Sequence, residues 1–382
     1  MRLDELLEFY STNSLSWEQL EYDRGDFYNL HYGLIHVGLP TLVDSSKYNL
    51  PTIKEDFLPR NYELVKDGDV AFADASEDTN EVAKAIEFTN TDSNQIVCGL
   101  HTIHGRDKDD RTKIGFKGFY FSSPAFHNQV RRLAQGTKIF SISTKILSEC
   151  FVSLPSKDEQ TKIANLLSLI DERIALQSKL IEDLKILKSA IVERLYGQYS
   201  SRIRIGTIIK PVSIRNRDGG ELEVMSVSNK YGFIAQLEQF EERLVASEDT
   251  SNYKVITPGI FAYNPARINV GSIAQYKGDR PCIVSPMYIC FECGEQVIGG
   301  YLEHFFSTKY FHKEMEKRLE GSVRLCLSFE ALCNIPISLP TIEQQQKYAH
   351  VVGIISEQIS TETGILQAYQ KQKLYLLSAM FI

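Results

Sequence analysis

Two long stretches of the chain repeat apolar residues at the spacing of a coiled coil. Each stretch starts after a proline, Pro155 or Pro340, and continues for about 36 residues without another proline. Eight of ten heptad core positions are apolar in the first stretch. The equivalent positions of the second stretch lie 185 residues later, and eight of these ten are also apolar. The polar exceptions occupy equivalent places in the two stretches: Gln177 and Lys188, then Glu362 and Lys373. The pattern predicts two matched long helices that pack on each other.

The polar exceptions also suggest a register for an antiparallel pair. One alignment sets Lys188 opposite Glu362 and Gln177 opposite Lys373, while the remaining core positions place apolar residues opposite apolar residues. We therefore predict that these four side chains mark the register, as buried polar core residues do in other coiled coils. The alternative is that they extend to solvent and that packing alone sets the register.

The long stretches belong to a larger internal repeat. Residues 119–196 align with residues 304–381 without a gap, and 17 of the 78 positions are identical. Upstream the match continues at other offsets, for example between Gly68 and Gly259, which indicates insertions in surface loops. The chain is thus a unit of about 190 residues written twice.

The part of each unit that precedes the long stretch has a different pattern. Its apolar runs are short and are interrupted by Gly, Pro, Asn and Asp, which is typical of strands. A short helix is predicted from Ser123 to Ala134 and again from Thr308 to Leu319, followed by Gly136 or Gly321.

We predict a mixed α/β (α+β) fold of two strand-rich domains, separated by two long antiparallel coiled-coil helices and related by a pseudo-two-fold axis. The predicted boundaries are 1–153 for the first domain, 154–197 for the first helix, 198–338 for the second domain and 339–382 for the second helix.

The composition is that of a folded, water-soluble chain. Of 382 residues, 43% are hydrophobic and 24% charged, and no run approaches the roughly 18 apolar residues that a membrane span needs. The first residues include Asp4, Glu5 and Glu8, unlike a secretory signal. We expect a cytoplasmic protein whose seven cysteines are reduced.

The net charge of −7 argues at first against nucleic acid as a ligand, but the charge is uneven. Residues 1–196 carry the whole −7, and residues 197–382 are neutral. Basic loops occur in both halves, and two similar domains on a rod would suit duplex DNA, which is itself nearly two-fold symmetric. The alternative for each loop is an ordinary solvated surface. The predicted DNA-binding residues are Arg106, Lys108, Arg111, Lys113, Arg215, Arg217, Asn264, Arg267, Lys277 and Arg280.

Motifs of catalysis and metal binding are incomplete. The sequence has no GxxxxGK[ST] and no GxGxxG, and Asn264-Pro-Ala-Arg lacks the second proline and the aromatic residue of adenine methyltransferases. Asp171, Asp183 and Lys185 follow the order of a nuclease site but fall on a predicted long helix. We therefore expect no catalytic site and no bound cofactor or metal.

Cysteines and histidines leave two minor alternatives. Cys290 and Cys293 form one CxxC, with Cys282 and His304 as further possible ligands, but without a second pair we favour buried thiols over zinc. His101 and His104 form an HxxH without the glutamate of a metalloprotease helix. They are predicted to be turn or core histidines, with contact to a DNA base as the alternative.

The combined motifs resemble a known family. Leu154-Pro155 is followed by Glu159-Gln160, and Leu339-Pro340 by Gln344-Gln345, each before a long helix. With the stretches GDVAFADASED (68–78) and YNPARINVGSIA (263–274), these junctions resemble the specificity (S) subunit of type I restriction-modification enzymes over nearly the whole chain. The second junction departs from the first by Glu343-Gln344-Gln345 in place of Asp158-Glu159-Gln160, and the first domain starts almost at residue 1.

The resemblance implies a non-catalytic subunit that reads a bipartite, asymmetric DNA site, one half per domain. It also implies docking to two methyltransferase (M) subunits and, through them, to restriction (R) subunits. S-adenosylmethionine, ATP and Mg²⁺ would then be bound by those partners. Two alternatives stay open: an S-like subunit of a fused restriction-methylation system, and a coiled-coil scaffold without a nucleic-acid role.

Overall fold

The chain divides into two compact units. The computed structural model describes residues 1–22, 25–197, 202–217, 219–235, 249–322 and 324–381. Unit 1 consists of Met1–Ser178 and Gly364–Ile382, and unit 2 consists of Lys179–Thr363. Each unit therefore contains one half of each long helix. The four-segment division, with boundaries after 153, 197 and 338, stays a prediction.

Unit 1 is built on two sheets and a short ribbon. Its strands are β1 (Leu7–Tyr10), β2 (Leu20–Glu21), β3 (Phe27–Leu30), β4 (Leu42–Asp44), β5 (Thr52–Ile53), β6 (Val70–Ala73), β7 (Ala75–Ser76), β8 (Ala85–Thr89), β9 (Gln95–Cys98), β10 (Thr102–Asp107) and β11 (Phe140–Ser141). The larger sheet has the order β1-β10-β6-β8-β4, the smaller sheet β2-β5-β3-β9, and β11 pairs with β7.

The helices of unit 1 lie on both faces of its larger sheet. They are α1 (Leu3–Leu6), α2 (Tyr32–His36), α3 (Phe116–Phe121), α4 (Pro124–Leu133), α5 (Thr144–Leu147) and the long helix α6 (Lys157–Gly197), of which the part up to Ser178 belongs here. The core contains Phe72 of β6 with Phe119, Phe121 and Phe126 of α3 and α4. A second cluster fills the space between the two sheets.

Unit 2 repeats the larger sheet. Its strands are β12 (Arg202–Arg204), β13 (Ile209–Val212), β14 (Val224–Ser228), β15 (Gly232–Ala235), β16 (Lys254–Ile256), β17 (Phe261–Tyr263), β18 (Ile273–Gln275), β19 (Cys282–Val284), β20 (Ile289–Cys293) and β21 (Pro336–Ser338). The order β13-β20-β17-β18 matches β1-β10-β6-β8 of unit 1, and β15-β14-β19-β16 forms a second sheet. The helices are α7 (Gly299–Phe305), α8 (Lys309–Glu316), α9 (Phe329–Cys333) and the long helix α10 (Ile342–Met380).

The short helices confirm the predicted pattern with shorter ends. Ser123 caps α4 by accepting from the Phe126 N–H, and Thr308 caps α8 by accepting from the Phe311 N–H. Both helices end before the predicted residue, and the glycines lie beyond them in the following turns. Gly136 and Gly321 have φ of +130° and +124°, and a Cβ at either would collide with a backbone carbonyl of its own turn.

The heptad stripe is confirmed in the described residues. All twenty predicted core positions of α6 and α10 are buried or half-buried, including the four polar ones. Within unit 1, Leu167 of α6 lies in one core cluster with Leu377 and Phe381. Within unit 2, Val192 and Tyr196 share a cluster with Val352. In each unit the start of one long helix thus packs with the end of the other.

The predicted register is wrong in unit 1. Lys373 Nζ lies 2.6 Å from Asp171 Oδ1, six residues before the predicted neighbour Gln177. Tyr369 OH accepts from Arg173 Nη1 at 3.4 Å, whereas the register that sets Gln177 opposite Lys373 would place Tyr369 opposite Ile181. The two contacts agree on a shift of about one heptad. In unit 2 the ionisable side chains that act on Lys188 include Glu303 and Lys277, and its pairing with Glu362 stays a prediction.

Candidate nucleic-acid interface

A buried glutamine joins each long helix to the domain before it. Gln160, 1% exposed, accepts at Oε1 from the Lys113 N–H at 2.8 Å and donates from Nε2 to the carbonyls of Arg111 (3.2 Å) and Pro155 (3.0 Å). Gln345, 0% exposed, accepts from the Ile298 N–H at 3.0 Å and donates to the Gln296 and Pro340 carbonyls, both at 2.9 Å. Every partner is offset by 185 residues. The repeat therefore preserves this clamp, and the identity of the two glutamines was the signal for it.

Three loops of unit 1 meet at one end of its larger sheet, and we call this end the three-loop edge of unit 1. They are the segment 74–76 after β6, which includes the short strand β7, the loop 99–101 before β10, and the turn 135–141, which ends in the short strand β11. The Asp74 N–H donates to the His101 carbonyl at 3.0 Å, and the Ile142 N–H donates to the Asp74 carbonyl at 2.9 Å. A cavity of about 350 Å³ opens between the loops.

Unit 2 has the same edge, formed by residues 264–267, 285–287 and 320–326 without the undescribed residue 323. The Leu327 N–H donates to the Pro265 carbonyl at 3.1 Å. This hydrogen bond is equivalent to the one from the Ile142 N–H to the Asp74 carbonyl in unit 1. Asn264 Nδ2 lies 3.9 Å from the sulfur of Met287, which joins the first two loops. The equivalence follows from the strand register, because β10 pairs with β6 as β20 pairs with β17.

The basic residues predicted for the first half-site lie at the other end of the sheet. Strand β10 runs from Thr102 at the three-loop edge to Asp107 at the far end, so Lys108, Arg111 and Lys113 lie there beside the start of α6. Arg111 forms an ion pair with Asp109, and Lys108 Nζ donates to the Asp4 carbonyl. Lys113 is exposed.

Arg106 is occupied inside unit 1. Its guanidinium donates twice to Asp69, at 2.9 and 2.7 Å, and also to Glu63, and it lies 4.7 Å from the Tyr10 ring centre. His104 Nε2 lies 2.8 Å from the same Asp69, whose side chain is 1% exposed. Burial alone would raise the pKa of Asp69, but hydrogen bonds from His104 and Arg106 lower it overall. Arg106 therefore has a partner-rich internal position, and a role in DNA contact stays a prediction.

Unit 2 places its predicted residues in two groups. Arg215, Arg217, Asn264 and Arg267 lie toward the three-loop edge, since β13 and β17 both run toward it. Lys277 and Arg280 follow β18, which runs away from it, and Lys277 is paired with Glu303 at 2.6 Å.

The group at the three-loop edge differs in exposure. Arg267 and Arg217 are exposed, and Arg215 donates to Asn252 at 2.8 Å. Asn264 is 9% exposed and accepts from the Ala266 N–H at 3.1 Å, so it shapes the turn. Sequence reasoning missed Arg324, an exposed cation in the third loop of this edge.

In the described residues no group of three or more His, Cys, Asp or Glu side chains could hold a metal ion. Cys282 and Cys290 are buried and Cys293 is half-buried, and burial raises the pKa of the three thiols to about 11. Asp171 lies on the long helix, as predicted, and is half-buried in its ion pair with Lys373. No helix in the described ranges is long and apolar enough to span a membrane.

Known proteins support the predicted resemblance. Residues 66–185 match the family model described as "Type I restriction modification DNA specificity domain". The fold is similar to a crystal structure of the type I restriction-modification system S subunit from M. genitalium, with TM-score 0.59 and 16% identity over 100% of this chain and 95% of that one. The fold is also similar to a structure from work on complex assembly and conformational transition of the type I R-M system. That structure has a TM-score of 0.59 and 14% identity, over 99% of this chain and 95% of that one. No curated protein matches the sequence.

Residues 66–185 are thus similar to the specificity domain of type I restriction-modification systems. The resemblance to S subunits predicted from the sequence is thereby confirmed, as is the mixed fold of two repeated strand-rich domains with long helices.

Proposed function

We propose that the chain is the specificity subunit of a type I restriction-modification complex, in which unit 1 reads one half of a bipartite DNA site and unit 2 reads the other. The observation that carries the proposal is the repetition of the specificity-domain fold, with the same three-loop edge bearing different side chains. Equivalent geometry with different chemistry is what an asymmetric, two-part site requires.

The long helices offer a surface for M subunits. Leu166 and Leu169 on α6 are 41% and 59% exposed, and Val351 and Ile354, offset by 185, are 37% and 53% exposed on α10. These apolar pairs lie outside the heptad core, and exposed apolar residues at matched positions are typical of protein interfaces. We call them the docking pairs. One pair per unit suits two copies of one partner.

Catalysis and cofactors are assigned to the partners. In this proposal S-adenosylmethionine binds to the M subunits, and ATP and Mg²⁺ bind to R subunits that attach through M. The net charge of −7 supports shared DNA binding, because phosphate contacts need cations that a partner would have to supply.

Methylome sequencing tests DNA reading. The chain is expressed with its M subunit in a host without restriction, and the expected result is methylation at one bipartite motif with a fixed spacer. Methylation of a single continuous motif, or none in a complex that assembles, would contradict the proposal.

Docking is tested by mass measurement of the assembled complex. Leu166→Glu with Leu169→Glu, or Val351→Glu with Ile354→Glu, should each remove one M subunit, and the four changes together should remove both. Ile214→Glu is the matched control, because Ile214 is an exposed apolar residue, at 61%, away from the long helices. Full assembly of the fourfold variant would exclude these pairs as the docking surface.

A further inference from the structure

His101 has a backbone conformation that needs a reason. Its φ of +54° lies in the left-handed region, which residues other than glycine adopt at an energetic disadvantage. The turn is held by the Thr102 hydroxyl, which donates to the Gly99 carbonyl at 2.6 Å, and by the Asp74 N–H bond to His101. The conformation presents the imidazole at the three-loop edge of unit 1, where its side chain is 49% exposed.

The ring is held in one orientation. Asp74 Oδ1 lies 3.0 Å from His101 Nδ1, and the Tyr32 ring stands edge-on at 5.2 Å. An ionised carboxylate only accepts, so Nδ1 is the donor toward Asp74, and the neutral form of the imidazole with its hydrogen at Nδ1 presents Nε2 as an acceptor. A half-exposed side chain fixed by a carboxylate and an aromatic ring is prepared for a directional contact.

The surrounding cavity favours a ligand that donates hydrogen bonds. His101 and Glu77 line it together with Ala75, Ser76 and the exposed Ile139. Carboxylates repel phosphate and the carbonyl of guanine, but they accept hydrogen bonds from the amino groups of cytosine and adenine. The acceptors at this edge therefore select a base with an exocyclic amino group.

Unit 2 presents other chemistry at the same place. By strand register, Met287 occupies the position of His101, and Pro265 that of Asp74. Met287 is 59% exposed, and Arg267 in the neighbouring loop is also exposed. The two edges thus differ in chemistry where their loops meet.

We infer that His101 is a base-reading residue of the first half-site, accepting at Nε2 from the exocyclic amino group of an adenine or cytosine, with Asp74 as the residue that positions it. The inference rests on the proposed function and names the residue through which unit 1 distinguishes bases. His104, in contrast, is buried and belongs to the internal network of Asp69.

The test is the methylome of His101→Gly, assembled with M subunits as above. Glycine keeps the left-handed turn without strain and removes the ring. One base position in one half of the motif should become degenerate, with preference there reduced roughly 10- to 100-fold and the other half unchanged. Asp74→Asn should relax the same position more weakly, because the carboxylate that fixes the ring is lost. His101→Asn, which also tolerates the turn, is the second variant if the first loses its thermal transition.

Lys138→Ala is the matched control from the same edge. Lys138 is an exposed cation, and its loss should weaken all sites alike, lower the salt dependence of binding and leave the motif intact. An unchanged motif with His101→Gly, or a uniform loss like that of Lys138→Ala, would overturn the inference. Absence of any bipartite motif for the unaltered chain would instead refute the proposed function.

Discussion

Strand β10 of unit 1 and strand β20 of unit 2 occupy equivalent positions in two equivalent sheets. A buried side chain beside β10 is charged, whereas the equivalent side chain beside β20 is apolar. His104 in β10 pairs across the ladder with Ala71, as Cys290 in β20 pairs with Ala262. Beside His104 lies the buried Asp69, whereas the position equivalent to Asp69 is Ile260, which is buried with Cys290 in an apolar cluster. The same type of sheet can therefore pack against a buried charged network or against apolar side chains.

The difference teaches that the charged network is not a requirement of the fold. Buried ion pairs often add little net stability compared with apolar packing, but they become costly when one partner is removed. In unit 1 the network fixes Arg106 and with it the end of β10. Unit 2 reaches the same sheet without it, so the two units should respond differently to substitution and to acid.

The largest expected effect is that of Asp69→Asn. The change removes the charge that compensates Arg106 and His104, and we expect unit 1 to lose about 3–5 kcal/mol of unfolding free energy. Hydrogen exchange resolved by peptide should place the loss in unit 1 and leave unit 2 unchanged. Ile260→Val is the matched control and should lower the stability of unit 2 by about 0.5–1.5 kcal/mol. A loss below about 1 kcal/mol for Asp69→Asn would show that the network is unimportant for unit 1.

A smaller difference between the units is expected in how their free energy of unfolding depends on acid pH. Burial and the Lys188 charge lower the pKa of His304 in unit 2 from 6.5 to about 4. Between pH 6.5 and about pH 4, His304 binds a proton in the unfolded chain but not in the folded unit. The free energy of unfolding of unit 2 therefore falls as the pH is lowered through this range. The loss should amount to roughly 2–3 kcal/mol.

The equivalent position in unit 1 is Phe119, so His304→Phe should abolish this loss in denaturant titrations at pH 7 and pH 4.5. Exposed His350→Phe is the control and should retain it. Equal acid sensitivity of the unaltered chain and His304→Phe would assign the effect to other groups.

The smallest expected effect concerns the buried glutamine at the start of each long helix, a feature that the two units share. Gln160→Ala and Gln345→Ala each remove three hydrogen bonds and leave backbone groups unpaired, so each should destabilise its own unit by about 1–3 kcal/mol. The two losses should be similar, as measured by hydrogen exchange in each unit. Gln346→Ala, at an exposed position, should change neither. Unequal losses would show that the clamp has different importance in the two units.

The sequence was sufficient to predict the repeat and the helices because both depend on local periodicity. A gapless offset of 185 and a stripe of period seven are visible without contacts, and the Ser123 and Thr308 caps are short-range features. The short apolar runs before each long helix likewise form strands, as the sequence pattern predicted.

The register and the site depended on distant contacts. A heptad pattern looks the same after a shift of seven residues, so the sequence could not exclude the register that Asp171 and Lys373 show. The basic run around Arg106 did not reveal that Asp69 and Glu63, about 40 residues away, would occupy it. The three-loop edge joins segments up to about 65 residues apart, and only the sheet topology brings them together.

The shared packing of the long helices has a consequence for oligomers of shortened chains. Phe381 contacts Phe116 and Tyr120 in unit 1, just as Tyr196 contacts Tyr301 and Phe305 in unit 2, and all partners differ by 185. Residues 1–197 alone therefore encode both the receiving surface and an equivalent of the helix end that fills it. Two copies of such a half-chain could exchange these helix ends reciprocally, Tyr196 of each taking the place of Phe381. That exchange would give a domain-swapped dimer with two identical units, for which the proposed function implies a palindromic DNA site.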